Sequence, residues 1–170
     1  MKRNFVKITG GTVLAFVVIS ALTFGLVFAQ GESISKSSES KGGSLKGTWD
    51  AQVMIRNCQT GAAIRTFASI GTFMSGGTML DSTSGIPQSL KTPGHGVWSD
   101  LGGNLYQFKF KSFSFNASGN STGWTIIKQD AYLTNSSGDE YQSAGTSEIY
   151  APNGNLIATG CSTTTAKRFE

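Results

Sequence analysis

The sequence predicts an all-β domain, an eight-stranded antiparallel up-and-down barrel, and three observations carry that reading. From Gly47 onward there are no apolar runs at helical period; apolar and β-branched residues alternate in short stretches. Clusters of Gly, Asn, Ser and Asp separate those stretches at nearly even spacing, and each cluster is a hairpin signal. All but one of the connections are short, whereas a Greek-key sandwich needs long crossing connections. Closing such a meander into a barrel removes the exposed edges that an open sheet would leave.

The first segment, residues 49–56, places Trp49, Ala51, Val53 and Ile55 on one face and Asp50, Gln52 and Arg56 on the other, so one face is buried and the other wet. A second segment covers residues 63–73. It turns at Ser75-Gly76-Gly77 into a short third segment, residues 78–83. The long Pro/Gly/Ser connection, residues 84–94, leads to a fourth segment at 95–101, and Gly102-Gly103-Asn104 supplies a tight turn of the kind positive φ permits. Segments five (104–115), six (122–134), seven (140–151) and eight (155–169) are set off by three turns: Asn116-Ala117-Ser118-Gly119-Asn120, Asn135-Ser136-Ser137-Gly138-Asp139 and Pro152-Asn153-Gly154-Asn155. Strands of about ten to twelve residues suit a small barrel whose interior is filled or holds one small ligand. In segment five the aromatic parity flips between Tyr106, Phe108, Phe110 and Phe113, Phe115, which predicts a β-bulge near Lys111-Ser112.

The cysteines fit this closure. In a closed meander the first and last strands pair antiparallel, and setting Arg168 opposite Trp49 brings Cys161 one diagonal step from Cys58, both on the face opposite Trp49. A Cys58–Cys161 disulfide is expected. It would close a loop of about 100 residues, a staple worth up to roughly 4–5 kcal/mol in the chain-entropy model.

The N-terminus reads as an export signal: Lys2, Arg3 and Lys7, then a charge-free apolar run over residues 12–28, then Val27-Phe28-Ala29 as a processing site, giving a signal peptide over residues 1–29. An uncleaved membrane anchor is the alternative, because residues 12–29 come close to the roughly 17–25 needed to span a bilayer. Either way the domain leaves the cytoplasm. Residues 30–46, rich in Ser, Gly and Lys, hold too little apolar surface to fold and read as a flexible linker, so the barrel is expected over residues 47–170. The formal charge of +4 concentrates in that basic start, and the remaining Lys and Arg nearly balance the 10 acidic residues. A nucleic-acid partner is therefore not expected. One His and two separated Cys are too few for a zinc site, and no metal or cofactor is expected.

Gly47-Thr48-Trp49 opening the first strand, eight strands, and Arg168 near the end of the last resemble the calycin superfamily, which contains the lipocalins, fatty-acid-binding proteins and avidins. The resemblance implies that Arg168 packs across Trp49 as a structural cation–π plug at one end of the barrel. Gly123-Trp124-Thr125 is similar to a short avidin stretch. The run Thr92-Pro93-Gly94-His95-Gly96-Val97-Trp98, with Thr159-Gly160-Cys161, resembles exported bacterial proteins without an assigned activity.

The expected function is a lipocalin-like barrel holding a small hydrophobic ligand, with Trp98, Tyr106, Phe108, Phe110, Trp124 and Tyr132 as the ligand-binding aromatics. The same rings could instead fill the barrel. A cyclase or isomerase acting on an apolar substrate is the alternative, with His95 or Tyr106 as acid or base. A filled barrel working through its loops as an inhibitor or interaction module is another. His95, between two glycines, is otherwise a strand-start residue. Asp50, Asp81, Asp100, Asp130, Asp139, Glu140 and Glu148 show no catalytic or metal spacing and are expected on the solvated surface.

Overall fold

The computed structural model describes residues 44–169, so the signal peptide and most of the linker expected from the sequence lie outside the described residues. Eight strands follow in order: β1 (Gly47–Arg56), β2 (Ala63–Phe73), β3 (Thr78–Thr83), β4 (Gly94–Gly102), β5 (Leu105–Phe115), β6 (Ser121–Leu133), β7 (Glu140–Tyr150) and β8 (Leu156–Arg168). Each pairs antiparallel with the next, and β8 returns to β1, so the sheet is a closed barrel in strict sequence order. All eight segments read from alternation and turn residues are present, with bounds shifted by a residue or two.

The seam follows the register set by the cysteines. Trp49 faces Arg168 and Arg56 faces Cys161 across β1 and β8. Cys58, just past the end of β1, reaches diagonally to Cys161, and the disulfide ties the outside of the seam with the two Cα atoms 5.2 Å apart. The expected bulge at Lys111-Ser112 is absent, because β5 pairs with β6 without interruption from Leu105 to Ser114 and slips only between Ser114 and Phe115. Phe113 is an outward residue at an outward position, 47 % exposed. The parity change read from the sequence is two aromatic rows on opposite faces of one strand.

Seven loops join the strands, four at one end and three at the other. One end is plugged. Trp49 is fully buried, its indole Nε1 donates to the Leu45 carbonyl at 2.8 Å, and Tyr141 meets its ring edge-on at 4.9 Å. The Arg168 guanidinium lies 4.3 Å above the Trp49 ring and donates to the carbonyls of Ser44, Lys46 and Gly138, so the implied cation–π contact is present. Gly47 has φ of 120°, and a Cβ there would stand 2.6 Å from Arg168 Nη1, which explains the glycine two residues before the tryptophan. Residues 44–46, read as the tail of the linker, are part of this plug, with Leu45 fully buried.

Above the plug, Phe73 meets Phe108 at 5.2 Å and Trp98 at 6.0 Å, and Trp98 meets Tyr106 at 6.1 Å. Rings thus fill the lower half of the barrel. The upper half is hollow.

Candidate functional site

The hollow is a cavity of about 230 Å³ running from Ala51, Phe73 and Tyr141 up to a rim that includes Arg65, Ile86 and Ile149. Those three rim residues are solvent-exposed, so the cavity communicates with water at the end opposite the plug. Its walls are mainly apolar: Val53 and Ile55 from β1, Phe67 from β2, Met79 from β3, Phe108 and Phe110 from β5, and Ile127 from β6. Alternation puts them there, since odd positions of β1, β2, β3 and β6 and even positions of β4, β5 and β8 face inward.

One stretch of wall is not strand. β3 is only six residues long and pairs with β2 no further than Ser69, leaving the upper part of β2 without a neighbour on that side. Residues 84–93 fill the gap. On one side the Arg65 guanidinium donates to the Gly85 carbonyl and the Gln88 amide to the Thr83 carbonyl. On the other, Lys91 bridges to Ser114 and Thr92 exchanges hydrogen bonds with Phe113. The long connection is thereby fastened at both margins and delivers Lys91 into the barrel.

Inside, Lys91 Nζ lies 3.8 Å from Asp81 Oδ1, and both side chains are nearly enclosed, at 10 % and 13 % exposure. Ser69 donates to Asp81 Oδ2 at 2.6 Å. Burial pushes the Asp81 carboxyl above the usual carboxylate range, outweighing the Ser69 hydrogen bond and the Lys91 charge. Burial likewise pulls the Lys91 amine below its ordinary value, more than Asp81 lifts it. The Tyr141 hydroxyl is held far above the phenol range by burial and by the Asp81 charge, so it stays protonated. Deeper in, Gln129 spans the cavity floor, its amide NH₂ donating to Ser162 at 2.8 Å and its carbonyl accepting from Ser143 at 3.0 Å. Ser112 is 1 % exposed and lines the cavity, and its Oγ has no hydrogen-bond partner, the sole such buried side-chain atom among the described residues.

The six aromatics expected to bind ligand fall into three groups. Phe108 and Phe110 line the cavity. Trp98 and Tyr106 face inward but pack in the filled layer beneath it, the indole Nε1 of Trp98 donating to the Met74 carbonyl and Tyr106 hydrogen-bonding the Leu45 backbone. Trp124 and Tyr132 stand on the outer wall, because β6 turns its odd residues inward; Trp124 stacks on Tyr150 at 5.5 Å beneath Lys111, and Tyr132 is 44 % exposed with its hydroxyl on Gln142. His95, offered as a catalytic acid or base, is exposed on the outer face of β4, away from the interior that its neighbour Gly94 lines.

Asp81 corrects the sequence reading in the other direction. Expected on the surface, it faces the cavity, and neither Lys91 nor Ser112 stood out in the sequence. The signal is weak for a physical reason: in Thr78–Thr83 the apolar pair Met79-Leu80 leaves the strand's parity undecided, and Leu80 is the one that faces out. Lys91 is placed by a loop, for which no periodicity exists. No protein-family model matches this chain, and no curated protein matches it.

Proposed function

We propose that the barrel binds a small, mainly apolar molecule in its upper half, entering through the end opposite the Trp49 plug, and that it does so outside the cytoplasm. The observation that carries this reading is the cavity itself, aromatic and aliphatic in its walls and joined to solvent at its rim. An apolar cavity of about 150 Å³ is enough to take benzene, so about 230 Å³ suits a molecule of one or two rings or a short branched chain. Export is supported by the disulfide, which belongs to oxidising compartments, and by the basic and apolar N-terminal sequence. Among the described residues no helix is long and apolar enough to cross a membrane.

Native mass spectrometry of the protein recovered from its own compartment tests both parts. A mass deficit of two hydrogens against the reduced chain, with a retained small-molecule adduct or saturable uptake of a neutral naphthalene probe, is the expected result. A bare protein that takes up no such probe would remove the binding reading.

One observation favours a second reading. The Asp81–Lys91 pair is an acid and a base enclosed in an apolar cavity, the arrangement a small isomerase or cyclase needs. In that reading Asp81, rather than His95 or Tyr106, holds the proton. Turnover separates the two: an enzyme converts the bound molecule and Asp81→Asn abolishes that conversion, whereas a binder returns it unchanged from wild type and variant alike. The filled-barrel alternative loses its premise, since only the lower half is filled.

A further inference from the structure

We propose that the molecule held in this cavity is uncharged and bears a single hydroxyl, which is received between Asp81 and Ser112 while its apolar body lies against Phe110, Phe108 and Ile127. The inference rests on the binding reading above and adds the chemical class of the ligand.

Two observations lead to it independently. The first is the unpartnered Ser112 Oγ. A buried hydroxyl left without a partner has lost its hydration with nothing in return, and native interiors leave few such atoms. Ser112 belongs to the cavity wall, so a molecule in the cavity is what can reach it. The second is the charge balance. The enclosed interior holds one carboxylate and one ammonium, 3.8 Å apart, and a third buried charge would have no counter-ion. A charged head is therefore disfavoured in the enclosed part, whichever its sign; Arg65 stands at the exposed rim with its guanidinium on the Gly85 carbonyl.

The register brings these groups to one place. Asp81 faces Gly94 across β3 and β4, and His95 faces Lys111 across β4 and β5, so one step along that ladder sets Gly94 beside Ser112. A Cβ at Gly94 would come 2.5 Å from the Phe110 ring and 3.3 Å from the Asp81 Cβ; only a glycine lets the ring lie on the backbone at that point. Asp81 and Ser112 thus flank a position where an aromatic face meets two polar groups. Asp81 Oδ2 is occupied by Ser69, which leaves Oδ1, the oxygen nearer Lys91, toward a newcomer. A hydroxyl suits both sides because it donates to the carboxylate and accepts from Ser112. A ketone would answer only Ser112, and a hydrocarbon neither.

Three probes of one shape test this: naphthalene, 2-naphthol and 2-naphthoate, titrated at neutral pH into the oxidised protein and its Ser112→Ala variant. The expected result is 2-naphthol binding about tenfold more tightly than naphthalene, with 2-naphthoate weaker than 2-naphthol, and a gap between the first two that shrinks to about threefold or less in Ser112→Ala. Naphthalene itself should bind both proteins alike, which also reports that the variant is folded. Equal affinity for naphthalene and 2-naphthol, a gap that Ser112→Ala leaves intact, or tightest binding of 2-naphthoate would each overturn the inference while leaving the apolar pocket standing. Failure of all three probes would remove the pocket reading, and this inference with it.

Discussion

The two ends of the barrel are built from the same alternating strands and differ in what the inward positions hold. At the plugged end they carry Trp49, Tyr106, Leu133 and Tyr141, large side chains that are almost wholly buried, with Trp49 and Tyr141 ring against ring. At the other they carry Ser69, Asp81, Ser112 and Thr125, small or polar, with Gly94 and Gly71 among them. Large residues fill a barrel and small ones hollow it, and the polar groups left in the hollow have to be paired with each other or with whatever enters. The contrast teaches that one end is packed solid while the other keeps polar groups around a hollow, and each claim can be tested by substitution.

The largest effect is expected at the plug. Trp49→Ala removes a fully buried indole and should cost about 3–5 kcal/mol in urea unfolding; a loss below about 1 kcal/mol would mean that the plug is dispensable and the contrast false. Next comes the seam. Replacing Cys58 and Cys161 together by Ser should lower stability by about 2–4 kcal/mol, read from the same unfolding curves, because the disulfide closes a loop of 103 residues. Arg168→Met keeps the stem over Trp49 but removes the charge and the donors to three carbonyls, for a loss of about 1–3 kcal/mol, while probe uptake at the far end should not change.

At the hollow end the expected signature is a pH dependence. The Asp81 pKa lies above its unfolded value, so this group contributes stability that is present at low pH and lost as pH rises through the raised pKa. Asp81→Asn, always neutral, should match the wild type in acid. It should then gain on it steadily in Tm as the pH is raised through and beyond the carboxylate range; a constant difference would place Asp81 in water. The smallest effect belongs to the outer wall. Tyr132→Ser should change stability by no more than about 0.5 kcal/mol and leave probe binding untouched.

This difference between the ends also explains what could be read from the chain. The plug was legible through the resemblance carried by Gly47-Thr48-Trp49 and Arg168, and the antiparallel register that joins Trp49 to Arg168 also predicts the Cys58–Cys161 bridge. The strands were legible because turn residues bound them. The cavity was not, since its defining residues are small, polar and scattered over several strands, and its most consequential charge, Lys91, arrives on a loop. Trp124 and Tyr132 misled because aromatic side chains suggest an interior, while Thr125-Ile126-Ile127 gives no alternation by which to tell the two faces of β6 apart.

The seam between β1 and β8 also sets the order in which the chain can finish. Every other strand pair joins neighbours in sequence, whereas one edge of β1 waits for residues more than a hundred positions away. A chain emerging N-terminus first therefore exists for a time as an open sheet with two bare edges, the form most prone to pair with another copy. Closing that last ladder turns a sticky ribbon into a barrel without edges. The bridge between Cys58 and Cys161 fastens the ladder at the end away from the plug, so the step that makes the fold also makes it hard to reopen.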